Sequence, residues 1–375
     1  MKKVVYFALF LSLCGCSLQK TLRVSYIKEG EFLNDKIPIK DYLSDNERIK
    51  TIYLDSINFA ILDSISFKDN NPDRMIDFST PVNLDFSKRI KKYSPEYYSI
   101  GTVHYTTKCM IYYDKLFNGK IRFNTQDSYK SNSVLFGDVS LITTPKKYIF
   151  ERNSPFSPSI FFHEIGHRAF WLIESDLGIK FNGLSYVHMG LLEYFTVSLN
   201  NSPIVGELGL PKKLVRNAKL SYNYPIDDSL YLGRTLQLLK ESYKTELVDS
   251  TRSISKYYNL TMKKYGSVLN KKIDNHRSGL IITSTLWRIR ETLGQENTDK
   301  LIAEAILDLN KYMDKRNSFY IAEANEELPD YICWYDLYFG LLDKDKEFFK
   351  GANKELIKSS FKLTGFPVEK IKYDR

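Results

Sequence analysis

The pentad His163-Glu164-Ile165-Gly166-His167 constrains this chain more than any other part of its sequence. Residues four apart on an α-helix lie one above the other on the same face, so both imidazoles can point at one metal ion. Glu164 projects beside them, where a carboxylate can take a proton from water and pass it to a leaving amine. The flanking sequence is apolar, which favours a buried helix. The pentad therefore predicts a hydrolytic metal site on a buried helix.

The residues around the pentad predict where its helix begins and ends. Ser157 is a good N-cap residue, and Pro158 suits the first helical position. Gly178 suits the left-handed position that follows a helix. We therefore expect a helix over about 158–175, with both histidines near its middle.

Zinc is the metal that this spacing favours. A catalytic zinc ion takes three protein ligands and keeps a fourth position open, and H-E-x-x-H on a helix supplies two of the three. The pentad resembles the motif of the zincin metallopeptidases. Within that group the gluzincins, which include thermolysin and fungalysin, take the third ligand from a glutamate on a following helix. A helix predicted over 187–199 is the candidate here.

The segment 187–199 resembles the gluzincin pattern E-G-x-A-D-Y-F but departs from it at the ligand position. Gly190, Tyr194 and Phe195 match the pattern. Met189 stands where the resemblance implies the metal-binding glutamate. A thioether is a soft ligand that suits catalytic zinc poorly, so the third ligand is expected from another side chain.

Three interpretations of the third ligand remain open. In the first, which we adopt, Glu193 binds zinc, since it lies one turn beyond Met189 on the same face. In the second, His188 is the ligand and the site has three histidines. In the third, no ligand is present and the site is degenerate. The family's aspartate stands at the position of Glu193, so this carboxylate is also a candidate to hold His163 or His167 in one tautomer.

A further match lies at residues 274–279, D-N-H-R-S-G, which lead into a helix predicted over 278–290. This segment resembles the D-x-H-x-x-G…L-W-x-x-R-x-x-L-G pattern of fungalysin-like and other thermolysin-fold peptidases. The resemblance implies that His276 donates a hydrogen bond to the oxyanion of the tetrahedral intermediate. Such a donor stabilises a transition state by roughly 3–4 kcal/mol. Tyr186 and Tyr194 are further candidates for this role.

The first sixteen residues predict a targeting segment. Lys2 and Lys3 precede a short apolar run over 4–13, which is too short to span a membrane. The run ends at L-C-G-C and resembles a bacterial lipoprotein signal, with Cys16 as the lipid-anchor residue; an ordinary secretory signal is the alternative. The resemblance implies a body anchored by lipid in the cell envelope, at the outer membrane and facing the periplasm, or at the cell surface.

The distribution of charge indicates which binding partners to expect. The formal net charge is +9, but the basic residues are spread along the chain and form no nucleic-acid motif, so we expect no nucleic-acid partner. A basic body favours weak attraction to an anionic envelope surface.

Once Cys14 is removed and Cys16 acylated, Cys109 and Cys333 remain, either as a disulfide or as two buried thiols.

The pattern of apolar residues predicts an α+β fold, and the resemblance to gluzincins implies a zincin-type catalytic domain. We expect a signal segment at 1–16, a β-rich region at 17–90, a catalytic subdomain at 91–205 and a helical subdomain at 206–375. The residues over 134–143 predict a strand, and the resemblance to zincins implies that it lies at the edge of the cleft, where a substrate backbone can pair with it.

These features predict a zinc-dependent endopeptidase that hydrolyses peptide bonds with zinc-activated water. His163, His167 and Glu193 would bind zinc, Glu164 would be the general base, and His276 would stabilise the oxyanion. The substrate would be a peptide or protein. The alternative is a pseudopeptidase of the same fold with an impaired metal site, acting as a binding or scaffold lipoprotein of the envelope; Met189 is the residue that favours it.

Overall fold

A computed structural model describes residues 21–28, 31–38, 95–121, 123, 157–181, 186–207, 210, 215–220, 275–315, 332, 334–366 and 368. Within these ranges the chain is mainly helical and carries two small antiparallel sheets. The strands are β1 (Thr21–Lys28), β2 (Glu31–Pro38), β3 (Ile204–Val205) and β4 (Arg216–Asn217). The helices are α1 (Pro95–Leu116), α2 (Pro158–Leu177), α3 (Tyr186–Asn200), α4 (Asn275–Leu293), α5 (Gln295–Leu307), α6 (Trp334–Phe349) and α7 (Lys354–Leu363). This composition agrees with an α+β class.

The first sheet is the hairpin of β1 and β2, which pair antiparallel from Thr21 opposite Pro38 to Lys28 opposite Glu31. This hairpin lies within the region 17–90 that was predicted to be rich in β-structure. Val24 is only 2% exposed and joins the main hydrophobic core. The rest of that region beyond residue 38, the strand predicted over 134–143 and the targeting segment with Cys16 lie outside the described residues.

The helix that carries the pentad, α2, has the predicted start and an end two residues beyond the expected one. Ser157 has extended backbone (φ −96°, ψ 97°) and Pro158 opens the helix. Gly178 has φ 65° and ends it in the left-handed conformation that glycine adopts without steric cost. Ser157 does not cap the helix through its side chain; its hydroxyl lies 3.2 Å from that of Ser159.

Helices α3 and α4 pack closely because two glycines face each other where they cross. A Cβ on Gly190 would lie 2.6 Å from the carbonyl oxygen of Gly279 and 2.9 Å from Cγ2 of Ile282. Thr283 donates a hydrogen bond to the carbonyl of Gly190 (3.0 Å), which fixes the crossing. Further along, Arg290 of α4 reaches residues near the end of α3, so the two helices run in the same direction. The segment with His276 is thereby held at the start of α3.

Replacing Gly190 with alanine is expected to lower the free energy of unfolding by about 2–3 kcal/mol, since a close-packed interface cannot absorb a methyl group. Gly101→Ala is the matched control, because a Cβ on this other helical glycine meets Tyr105 at an ordinary 3.8 Å. That control should be neutral or slightly stabilising, as alanine favours the helix. Chemical denaturation of both variants measures the difference, and equal stabilities would contradict the importance of the crossing.

A buried carboxylate joins three helices elsewhere in the core. Asp299 of α5 accepts hydrogen bonds from the hydroxyls of Tyr112 on α1 (2.8 Å) and of Tyr194 on α3 (2.7 Å). Ser198, also on α3, donates to the same carboxylate at 2.7 Å. Burial raises the pKa of Asp299, although these hydroxyls and Arg290 favour its charged form. The network orients α3, which carries Glu193 one residue before Tyr194.

Cys109 is a buried thiol on α1, and it donates to the carbonyl oxygen of Phe162 on α2 at 3.8 Å. Burial raises its pKa, so it is not poised for thiolate chemistry. Cys333, its predicted alternative partner, lies outside the described residues. Among the described helices, none combines the length and the apolar character that crossing a bilayer requires.

Candidate metal centre

The two histidines of the pentad lie together on α2, as their spacing predicts. Their ring centroids are 4.8 Å apart and the rings are nearly perpendicular, at 84°. Two imidazoles that share one zinc ion at about 2.0–2.1 Å in tetrahedral geometry have centroids roughly 5 Å apart. His163 is buried, whereas His167 and Glu164 are half-buried. The pair is thus spaced for one metal ion, with Glu164 at the more accessible side of the helix.

Glu193 lies against the first of these histidines. Its Oε1 atom is 3.2 Å from Nδ1 of His163, and its side chain has no exposed surface. The carboxylate therefore faces Nδ1, one of the two ring nitrogens of His163. A metal ion that binds His163 through Nε2 would leave Glu193 behind the ring, where a carboxylate fixes the tautomer.

A second contact of Glu193 was not anticipated from the sequence. Nε of Arg216 lies 2.6 Å from the same Oε1 atom, and the arginine side chain is 9% exposed. A guanidinium so close to the oxygen would repel a dication bound there. The two contacts place Glu193 where it can orient His163, and direct ligation of zinc by Glu193 stays a prediction.

His188, the alternative third ligand, lies beside His167 and also contacts an acidic side chain of α2. Its Nδ1 atom lies 3.4 Å from Oε1 of Glu174, which is seven residues beyond His167 on α2. The ring packs on Phe170 (5.0 Å between centroids) and Phe181 (5.6 Å). Its centroid is 6.2 Å from that of His167. His188 is thus next to His167 but held toward the C-terminal end of α2.

Met189, at the position of the family's metal-binding glutamate, is fully buried. Its Cβ atom would lie 2.9 Å from a Cβ added to Gly279, so it packs against the first turns of α4. The side chain that replaces the expected ligand therefore belongs to the crossing of α3 and α4. Among the described residues, no group of three or more His, Cys, Asp or Glu side chains is arranged to hold a metal ion.

The segment around His276 begins its helix earlier than predicted. The expectation of a helix from residue 278 was wrong by three residues, because α4 begins at Asn275 and places His276 in its first turn. The glycine three residues later, Gly279, contacts the backbone of Met189 and Gly190. The backbone of His276 thus lies at the end of α3 that carries His188 and Met189.

Tyr194, one of the further candidates for the oxyanion donor, does not face the histidines. Its hydroxyl donates to Asp299 in the core, and burial beside this carboxylate raises the pKa of the phenol well above 10.0. The side chain is therefore part of the packing between α3 and α5. Tyr186 is the first residue of α3.

Comparison with known proteins adds no relative. No family model matches the chain, and neither a curated protein nor a solved structure matches it.

Proposed function

We propose that this chain is a zinc-dependent metallopeptidase of the gluzincin type that cleaves peptide bonds within a peptide or protein substrate. The observation that carries the proposal is the arrangement around His163. Its ring lies 4.8 Å from that of His167, and its Nδ1 atom faces the buried carboxylate of Glu193. A histidine held through one ring nitrogen by a carboxylate is the usual state of a zinc ligand.

Two of the residues present, His163 and His167, fit the ligands of one zinc ion. Imidazole nitrogens suit zinc, and the 4.8 Å between the ring centroids of His163 and His167 suits a shared ion. Glu193 contacts Nδ1 of His163 and would orient this ring. Its direct ligation of zinc stays a prediction. When bound, zinc would supply the Lewis acidity that activates water and polarises the scissile carbonyl.

Glu164 would carry the proton, and His276 would stabilise the negative charge that develops on the substrate. Glu164 would accept a proton from water at its carboxylate and deliver it to the nitrogen of the leaving amine. His276 would donate a hydrogen bond to the oxygen of the scissile carbonyl as negative charge develops there. The backbone of the substrate would pair with the strand expected over 134–143.

A second candidate function is a pseudopeptidase that binds or scaffolds other molecules of the envelope. The observation that favours it is Met189, a buried thioether at the position where a third ligand is expected. Two imidazoles without a third protein ligand hold zinc weakly compared with a complete site. In both candidates the chain would be anchored through lipid on Cys16, with its body in the periplasm or at the cell surface.

Zinc content separates the two candidates. Under the peptidase proposal, the wild-type chain is expected to retain one zinc ion per molecule after dialysis, and His163→Ala is expected to lose it, because His163 supplies one of the ligands of the metal. His104→Ala, which removes a histidine from α1, is the matched control and should retain the metal. Elemental analysis gives the ratio. A wild-type protein without zinc would reject the peptidase proposal and leave the pseudopeptidase.

A further inference from the structure

We infer that Arg216 is a positioning residue for the proposed metal site. Its guanidinium holds the carboxylate of Glu193 against Nδ1 of His163, so that His163 presents Nε2 to a metal ion. This inference rests on the proposed function, since it assigns Arg216 a role in that same site.

The contacts meet at one oxygen atom in the interior. Oε1 of Glu193 is 2.6 Å from Nε of Arg216 and 3.2 Å from Nδ1 of His163. The side chains of Glu193 and His163 are 0% and 3% exposed. These atoms lie within ion-pair distance of one another, and electrostatic attraction is strong where water is excluded. The arginine therefore fixes the position of the carboxylate, and the carboxylate in turn contacts the imidazole.

The backbone that carries Arg216 is fixed to both helices of the site. Arg216 lies in β4 directly opposite Val205 of β3, and β3 follows closely on α3, which carries Glu193. The amide of Gly206, at the end of β3, donates to the hydroxyl of Ser159 at 3.0 Å. Ser159 lies one turn before His163 on α2. The small sheet therefore holds the arginine in register with the glutamate and the histidine.

The contact also explains how a fully buried carboxylate can lie beside a metal-binding histidine. An ionised carboxylate taken out of water without a cationic partner is strongly destabilising. Arg216 supplies that partner through a planar group whose nitrogens are fixed in direction, which the ammonium of lysine does not reproduce. Without the arginine, Glu193 would lose its fixed orientation, and the ring of His163 would lose the contact that selects its tautomer.

The experiment compares Arg216→Met and Arg216→Lys with Lys219→Met in the full chain. Lys219 is the matched control, because it is a cation three residues further on whose side chain is 56% exposed and pairs with Glu291 at the surface. Zinc affinity is measured by competition with a chelator, and the absorption spectrum of bound Co²⁺ reports the geometry of the ligands. The ¹⁵N spectrum of labelled histidine in the metal-free protein reports which nitrogen of His163 carries the proton.

Arg216→Met is expected to bind zinc about 10- to 100-fold more weakly, as loss of a residue that orients a ligand usually does. Its Co²⁺ spectrum should change, and Arg216→Lys should restore part of the affinity, whereas Lys219→Met should match the wild type. If the methionine variant does not fold, the lysine variant is compared with Lys219→Met instead. Equal zinc affinity and an unchanged Co²⁺ spectrum in a folded Arg216 variant would overturn the inference while the proposed function stands.

A wild-type chain that binds no zinc is a different outcome, since it rejects the proposed function. The ¹⁵N spectrum then decides the role of Arg216 alone. A proton on Nδ1 of His163 in the wild type, with that preference lost in the Arg216 variants but kept in Lys219→Met, supports the positioning role. An unchanged tautomer in the Arg216 variants overturns it.

Discussion

Glu164→Gln is expected to lower peptide hydrolysis by about 10²- to 10⁴-fold while the bound zinc stays in place, which is the usual loss when a general base is removed. The amide of glutamine has nearly the shape of the carboxylate but cannot accept a proton from water. Glu164 directly follows His163 on α2 and is half-buried. A side chain of nearly the same shape can therefore replace it without moving either histidine. Steady-state hydrolysis of a peptide mixture and zinc content are measured on the same preparation.

The control for this prediction is Glu296→Gln, which makes the same change at an exposed glutamate in the first turn of α5. That variant should keep the wild-type rate within a few fold. Hydrolysis that survives in Glu164→Gln, with zinc bound, would show that another group takes the proton. Loss of zinc together with activity would mean instead that the glutamate helps to hold the site, and the assigned role would be wrong.

The local elements of the site could be predicted because their signals lie within a few residues. Pro158 and Gly178 mark the two ends of α2, and both residues act through their own backbone preferences. The start of α4 was predicted too late for a related reason. Its first turn, from Asn275 to Ser278, is polar, so the apolar periodicity that reveals a helix begins only at Leu280.

Arg216 could not be predicted, because nothing in its neighbourhood marks it. It lies in a strand of two residues, which is too short to show a period, and its partner Glu193 is 23 residues earlier in the chain. Only the pairing of Val205 with Arg216 brings the two together. Long-range contacts of this kind depend on how elements pack, and a single sequence does not specify that.

The position of Asp299 on its helix is a sequence signal for a buried carboxylate. Asp299 lies three and seven residues before Ile302 and Ile306, both fully buried, so it shares their face of α5. A carboxylate on an apolar stripe needs donors from neighbouring elements. Which elements supply them, here α1 and α3, follows from the tertiary packing and is the part that the sequence could not show.

Asp299→Ala is expected to lower the free energy of unfolding by about 3 kcal/mol, because each buried hydroxyl left without its acceptor costs about 1–3 kcal/mol. Tyr112, Tyr194 and Ser198 all donate to this carboxylate. Relief from burying the charge offsets part of the loss. Glu291→Ala, which breaks the exposed pair with Lys219, is the control and should change stability by less than about 1 kcal/mol. Urea denaturation at neutral pH compares the two, and equal losses would contradict a central role for Asp299.

The raised pKa of Asp299 predicts how the free energy of unfolding depends on pH. Burial raises the pKa of Asp299 above its ordinary value of 3.8, more than the hydroxyls of Tyr112, Tyr194 and Ser198 and the charge of Arg290 lower it. The folded state therefore holds this proton to a higher pH than the unfolded state does. The stability that the group contributes is complete below pH 3.8 and is lost as the pH rises through the folded-state pKa.

Asparagine cannot titrate, so the advantage in unfolding free energy of the wild type over Asp299→Asn is expected to shrink as the pH rises from about 4 toward neutrality. Urea denaturation of both proteins across this range measures the difference, and subtraction cancels the groups that titrate in both. An advantage that grows with pH would mean that the three hydroxyls and Arg290 outweigh burial, with Asp299 bound as an anion. In that case the network would hold α1, α3 and α5 together most firmly at neutral pH, where the proposed peptidase would act.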